Sequence, residues 1–103
     1  MQGNAVLQDA ISVTQYQDVK SVTRTELAQL LVSAGDRPFT VTFEKANNEE
    51  RVLRGVLYNT EHLLGRSLVV DLDISIKENR LRLVDHRTLI SMVYCGVFYK
   101  VRV

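Results

Sequence analysis

Phe39-Thr40-Val41-Thr42-Phe43-Glu44 and Arg51-Val52-Leu53-Arg54-Gly55-Val56-Leu57 are two alternating runs separated by a polar stretch around Asn47-Asn48. A period of two with aromatic and β-branched residues on one side is the signature of a half-buried strand. An Asn-rich break between two such runs is the signature of a hairpin turn. Register follows from keeping one face apolar, because a slip of one residue exchanges the two faces. A two-residue Asn47-Asn48 turn would set Phe43 against Val52 and Val41 against Arg54. An odd loop, of three or five residues, keeps the apolar face whole. In its shorter form it pairs Phe43 with Leu53, Val41 with Gly55 and Phe39 with Leu57. Gly55, in mid-strand, is a place where the strand can bend or another backbone approach.

Downstream the same period returns. Tyr58 to Arg66 reads as a loop. Leu68, Val70, Leu72, Ile74 and Ile76 then alternate with Val69, Asp71, Asp73 and Ser75. A turn through Lys77-Glu78-Asn79 leads to Arg80-Leu81-Arg82-Leu83. Pairing Ile74 with Leu81 and Leu72 with Leu83 puts the leucines on the core face and sets Asp73 opposite Arg82 outside. Asp85-His86-Arg87-Thr88 interrupts the strands as a tight or short helical turn, with the His86 ring against the last hairpin. That hairpin runs Leu89–Tyr94 and Val97–Val103 around Cys95-Gly96, with Met92 facing Tyr99.

Upstream, Thr23-Arg24-Thr25-Glu26 matches a capping box, and Val22 with Leu27 a hydrophobic staple. Leu27, Leu30, Leu31 and Ala34 form an i, i+3, i+4, i+7 stripe that ends at Gly35. A helix this short needs an apolar surface to lie on. Residues 1–20 read as a partly ordered arm or as a short strand, around Val13 to Val19, added to a barrel edge. The remainder, 21–103, is one helix-plus-small-barrel domain, as 103 residues allow.

Charge is unevenly spread. From Lys77 onward there are six basic and two acidic residues, net +4; the preceding residues carry 7 and 10, net −3, giving the total of +1. No apolar run approaches the ~20 residues of a membrane span, and no signal peptide is visible. A single cysteine, Cys95, excludes an internal disulfide and suits a reducing, cytoplasmic setting.

A helix followed by five or six short strands, with a brief turn before the last hairpin, resembles the Sm-like small β-barrel. The residues also resemble small tailed-phage proteins of that fold, viral relatives of the WYL domain. Three pieces carry the likeness. They are Glu26-Leu27-Ala28-Gln29-Leu30-Leu31 leading into Phe39–Lys45, the polar hairpin into Glu50-Arg51-Val52-Leu53-Arg54, and Arg82-Leu83-Val84-Asp85 followed by Arg87–Val93. The chain departs from the pattern in having His86 where an aromatic is expected and a longer stretch over Thr60–Val69. The resemblance implies a mainly β protein, a barrel of five to six strands with one N-terminal α-helix. It also implies a non-enzymatic role, binding nucleic acid or a host protein in the host cytoplasm.

No catalytic signature accompanies these elements. Asp71 and Asp73 would lie ~7 Å apart on one strand face, and read as an ion-paired, solvated pair. His62, His86, Glu61, Asp85 and Cys95 show no metal-ligand spacing, and no nucleophile elbow exists; no cofactor or metal is expected. Basic residues interleaved with aromatics on a small barrel suit single strands of RNA or DNA. Arg66, Arg80, Arg82, Arg87, Lys100 and Arg102 are the candidates, with Arg80, Arg82, Lys100 and Arg102 pointing outward. Against this, charge-driven binders usually have a pI above ~9, and this chain's is 7.9. The second candidate surface is Val93 with Phe98, which lie across from one another and face away from the barrel lining. Covered by the helix, they are core; uncovered, they mark a partner protein or self-association through barrel edges.

Overall fold

A computed structural model of the chain describes residues 18–75 and 79–102. In order these form β1 (Asp18–Val22), α1 (Arg24–Val32), β2 (Phe39–Glu44), β3 (Glu50–Glu61), a 3-10 turn (His62–Leu64), β4 (Arg66–Asp71) and β5 (Leu81–Asp85). A second 3-10 turn (His86–Thr88), β6 (Leu89–Tyr94) and β7 (Val97–Val101) complete them. The fold is mainly β: seven strands in one sheet, ordered β1-β7-β6-β2-β3-β4-β5, with one helix packed on it. β5 and β6 are not paired. The sheet is therefore open rather than a closed barrel, and it holds seven strands instead of the five or six expected. The seventh is β1, which runs parallel to β7 from Asp18↔Val97 to Val22↔Val101. The arm expected over 1–20, and the alternative strand around Val13–Val19, lie mostly outside the described residues.

The helix forms as its signals dictate. Glu26 N–H donates to Thr23 Oγ1 at 3.0 Å, and Thr23 N–H donates to Glu26 Oε1 at 2.8 Å. These reciprocal bonds satisfy two donors that the first turn leaves open, and they hold the Glu26 carboxyl below its ordinary pKa. Leu27, Leu31 and Ala34 are buried, with Val22 and Leu30 packed beside them. They meet Phe39, Val41, Leu53, Met92 and Val101 from the inner face of the sheet.

The first hairpin has a five-residue loop, 45–49, so that Glu44 faces Glu50, Val41 faces Leu53 and Phe39 faces Gly55. The odd loop preserves the apolar face, and the specific partners stand two residues from those of the three-residue form. Asn48 takes a left-handed φ of 68° in the loop, a conformation Asn tolerates better than most residues. At Gly55 the backbone of β4 closes in: a Cβ there would sit 2.6 Å from the Val70 carbonyl oxygen and closer still to Val69 Cγ1.

The larger corrections concern β3 to β5. Tyr58 to Glu61 is strand, not loop, and β3 pairs with β4 across a register shift between Leu57 and Asn59. That shift puts Ser67, Val69 and Asp71 inside. Leu68 and Val70 face outward, against Leu83 and Leu81 of β5. The faces expected for Leu68–Asp71 are thus exchanged, and the described strand ends at Asp71; Ile76 and the Lys77-Glu78 turn lie outside the described residues. Arg82 consequently faces inward, not outward, opposite Val69. Asp73 pairs with Arg54 at 2.9 Å rather than with Arg82.

The last hairpin keeps its expected register, Met92↔Tyr99 and Val93↔Phe98. Its two loop residues both have positive φ, 51° at Cys95 and 78° at Gly96. This is the twist that joins antiparallel strands through two residues.

Candidate functional site

The six basic candidates are spread over three regions rather than gathered on one face. Arg66 bonds Glu61 across the end of the β3–β4 hairpin. Arg87 makes a forked pair with Asp85, from Nε at 3.1 Å and from Nη2 at 2.8 Å. That fork, together with the Arg87 N–H, holds the Asp85 carboxyl down at a pKa of about 2. Arg80 Nε donates to the Ile74 carbonyl at 2.7 Å. Arg82 stands beside Asp71, Nε to Oδ2 3.7 Å, while Arg51 approaches the same oxygen at 3.5 Å. Asp71 is 5% exposed; its Oδ1 also accepts the Asp73 N–H at 2.9 Å. Two flanking guanidinium groups and a backbone donor are what permit a carboxylate at that depth. Lys100 and Arg102 are exposed at the opposite side of the sheet, where Arg102 Nη1 reaches the Ser21 carbonyl of β1 at 3.0 Å.

Val93 and Phe98 come together as expected, on the outward sheet face. The helix lies on the other side, against Met92 and Val101, so it does not cover them. Val19 of β1 stands opposite Phe98 and is 51% exposed.

A second apolar area lies on the same outward face at β3–β5. Val56, Val70 and Leu81 align across three strands, and Leu68 and Leu83 pair in the next row. Leu81 is 44% and Leu83 48% exposed, and Val52 further along β3 is 67% exposed. Ion pairs flank the area at both ends, Arg54–Asp73 and Arg66–Glu61. β5 is also an edge of the sheet, with no second neighbour among the described residues. A cavity of about 330 Å³ runs beside that edge, lined among others by Phe43, Ala46, Leu83 and Asp85. These leucines escaped the sequence reading because alternation identifies a pair of faces without saying which is buried.

His86 hydrogen-bonds to β4 rather than to the last hairpin. Its Nε2 lies 2.7 Å from Ser67 Oγ, which in turn lies 3.1 Å from Thr60 Oγ1. Burial lowers the His86 pKa, and the His62 charge adds to this against the opposing pull of Asp85. A serine–histidine pair invites a nucleophile reading, but Ser67 is fully buried, so its hydroxyl has no path to a substrate. The pair ties β4 to the 3-10 turn. Among the described residues no three His, Cys, Asp or Glu side chains cluster as a metal site, and no helix is long and apolar enough to cross a membrane.

The other face of the His86 turn lines a cavity of about 380 Å³ with Arg24, Thr25, Ala28 and Arg87. Arg24 carries no sequence signal for such a role; it is the first residue of a helix whose place over the turn only the fold decides.

Comparison with protein-family models, with curated proteins and with solved structures finds no match for this chain.

Proposed function

We propose that this chain is a non-enzymatic protein-interaction module that takes an extended strand of a partner protein along the β5 edge, which has no second neighbour among the described residues. The observation that carries this is the exposed Leu81 and Leu83 pair on that edge strand, backed by Leu68 and Val70. An apolar centre with a charged rim is the ordinary anatomy of a protein interface. The edge supplies the remaining chemistry. Asp71 N–H donates to the Arg80 carbonyl at 2.7 Å. In an antiparallel ladder that alternation turns the backbone groups of Leu81, Leu83 and Asp85 away from β4. Arg82 Nη1 bonds the Leu81 carbonyl and Thr88 Oγ1 the Asp85 carbonyl, which leaves Leu83 to pair with an added strand.

The strand order supports an Sm-like reading as well. After α1, strands β2 to β5 run in sequence, a 3-10 turn follows, and β6 returns to pair with β2. On that reading the structure is an Sm-like barrel left unclosed at the β5–β6 seam, widened by β7 and β1. A host-cell protein as partner fits the resemblance to tailed-phage proteins. Nucleic acid is the second reading, favoured by exposed Lys100 and Arg102. It ranks second because Arg82 is turned inward, Arg66 is paired with Glu61, and Lys100 and Arg102 lie on the opposite side of the sheet from them.

The test uses the purified chain as bait in extract from the cells that express it, beside a Leu81→Lys/Leu83→Lys variant shown to fold by its melting curve. The expected result is a partner retained by the parent and lost by the variant, with the Leu83 amide protected from hydrogen exchange in the complex. Light scattering over a concentration series identifies the case in which the partner is a second copy. The reading is overturned if parent and variant retain the same proteins, or if neither retains any.

A further inference from the structure

We propose that the cavity between α1 and the His86–Thr88 turn binds a phosphate ester, as carried by a nucleotide or a single strand. This site is separate from the β5 edge and does not depend on that edge's role.

Three nitrogen-bearing side chains line the cavity from two elements, Arg24 from the helix and His86 and Arg87 from the turn. Each is anchored from behind. Arg24 Nε donates to the Leu89 carbonyl at 3.1 Å. Arg87 is held by both oxygens of Asp85. His86 Nε2 is engaged with Ser67. The anchors use one edge of each group and leave Arg24 Nη1 and Nη2, Arg87 Nη1 and His86 Nδ1 without a bond in the described structure, and Thr25 lines the same cavity. Donors fixed in position lose little conformational freedom on binding, and arginine forks match the geometry of phosphate oxygens.

The local charge points the same way. Asp85 neutralises one guanidinium, and the Glu26 carboxylate is turned to the Thr23 N–H. The Arg24 charge is left without an acidic partner among the described residues. Ala28 supplies an apolar wall, and the volume exceeds what a phosphate alone needs, leaving room for part of a sugar.

The experiment is an NMR titration of the intact chain with adenosine monophosphate and, separately, with a short single-stranded oligonucleotide, at constant ionic strength. Saturable shifts are expected at Arg24, Thr25, His86 and Arg87. Arg24→Lys, which keeps charge and loses the fork, weakens binding about tenfold, and Arg87→Ala does so at least as strongly; Lys20→Ala, at an exposed position of β1, leaves the mononucleotide response unchanged. A strand that binds much more tightly than the mononucleotide makes nucleic acid the source; equal affinity makes it a free nucleotide. No shift at about 10 mM of either ligand, the same shifts with chloride, or undiminished binding by a folded Arg24→Lys variant overturns the inference.

Discussion

Ser67 Oγ and His86 Nε2, 2.7 Å apart, join the inner face of β4 to the turn that leads into β6. With β5 and β6 unpaired, this bond bridges the side on which the sheet stays open. His86 is neutral more readily in the fold than in the unfolded chain, because burial lowers its pKa from 6.5. The unfolded chain therefore binds the proton first as pH falls, and stability contributed by this group is present above about 6.5 and lost below it. Urea midpoints should fall between pH 7.5 and 5.5 in the parent and less steeply in His86→Gln. Parallel pH profiles would show that His86 does not titrate against folding.

Gly55 admits no side chain. A methyl group there meets the Val70 carbonyl oxygen at 2.6 Å as well as the Val69 side chain. Gly55→Ala should destabilise by about 1–3 kcal/mol or more, as overpacking of a close contact does. Adding Val69→Ala should recover only part of this, since the Val70 obstacle is backbone. Full recovery in chemical denaturation of the double variant would place the whole clash on Val69.

Asp71 is the charge the interior must compensate. Removing it leaves Arg82, whose Nε is buried without a hydrogen-bond partner in the described structure, facing no carboxylate. Asp71→Ala should cost on the order of 2–4 kcal/mol, somewhat under a fully buried pair because Arg51 and Arg82 still reach solvent. Arg82→Met should change stability by no more than about 1 kcal/mol in either direction, since Arg51 and the Asp73 N–H still satisfy Asp71. Equal losses from the two variants, measured by denaturant unfolding, would contradict this asymmetry.

Asp85 carries the acid-sensitive bond of the same turn. Its folded pKa of about 2 lies below the ordinary 3.8, so its contribution is intact above about pH 4 and disappears as pH falls toward 2. Arg87 is exposed, which limits the effect to about 1 kcal/mol or less. The stability gap between the parent and Asp85→Asn should narrow over that interval; a gap constant from pH 5 to 2 would exclude the mechanism.

Much of the scaffold was legible because its signals are local. The capping box, the Leu27–Leu31–Ala34 stripe, the odd hairpin loop, the Cys95-Gly96 turn and the Val93–Phe98 pair need only neighbouring residues to be recognised. The candidate surfaces were less so. Six basic residues read as a set occupy three regions, because position along a strand fixes the face and not the distance between strands. Arg24 and His86 share a cavity only because the helix packs over a turn more than sixty residues away.

The sequence by itself determined that this is a mainly β chain with one capped helix, and where most turns fall, since period, caps and turn residues act over a few positions. Only the tertiary structure decided which face of β4 and β5 is inside. Both faces carry aliphatic residues, so hydrophobic pattern alone favoured burying Leu68, Leu81 and Leu83. The extension of β3 to Glu61 and its register shift near Tyr58 instead turn Val69, Asp71, Arg82 and Val84 inward, with Asp71 and Arg82 compensating each other's charge and the leucines left at the surface.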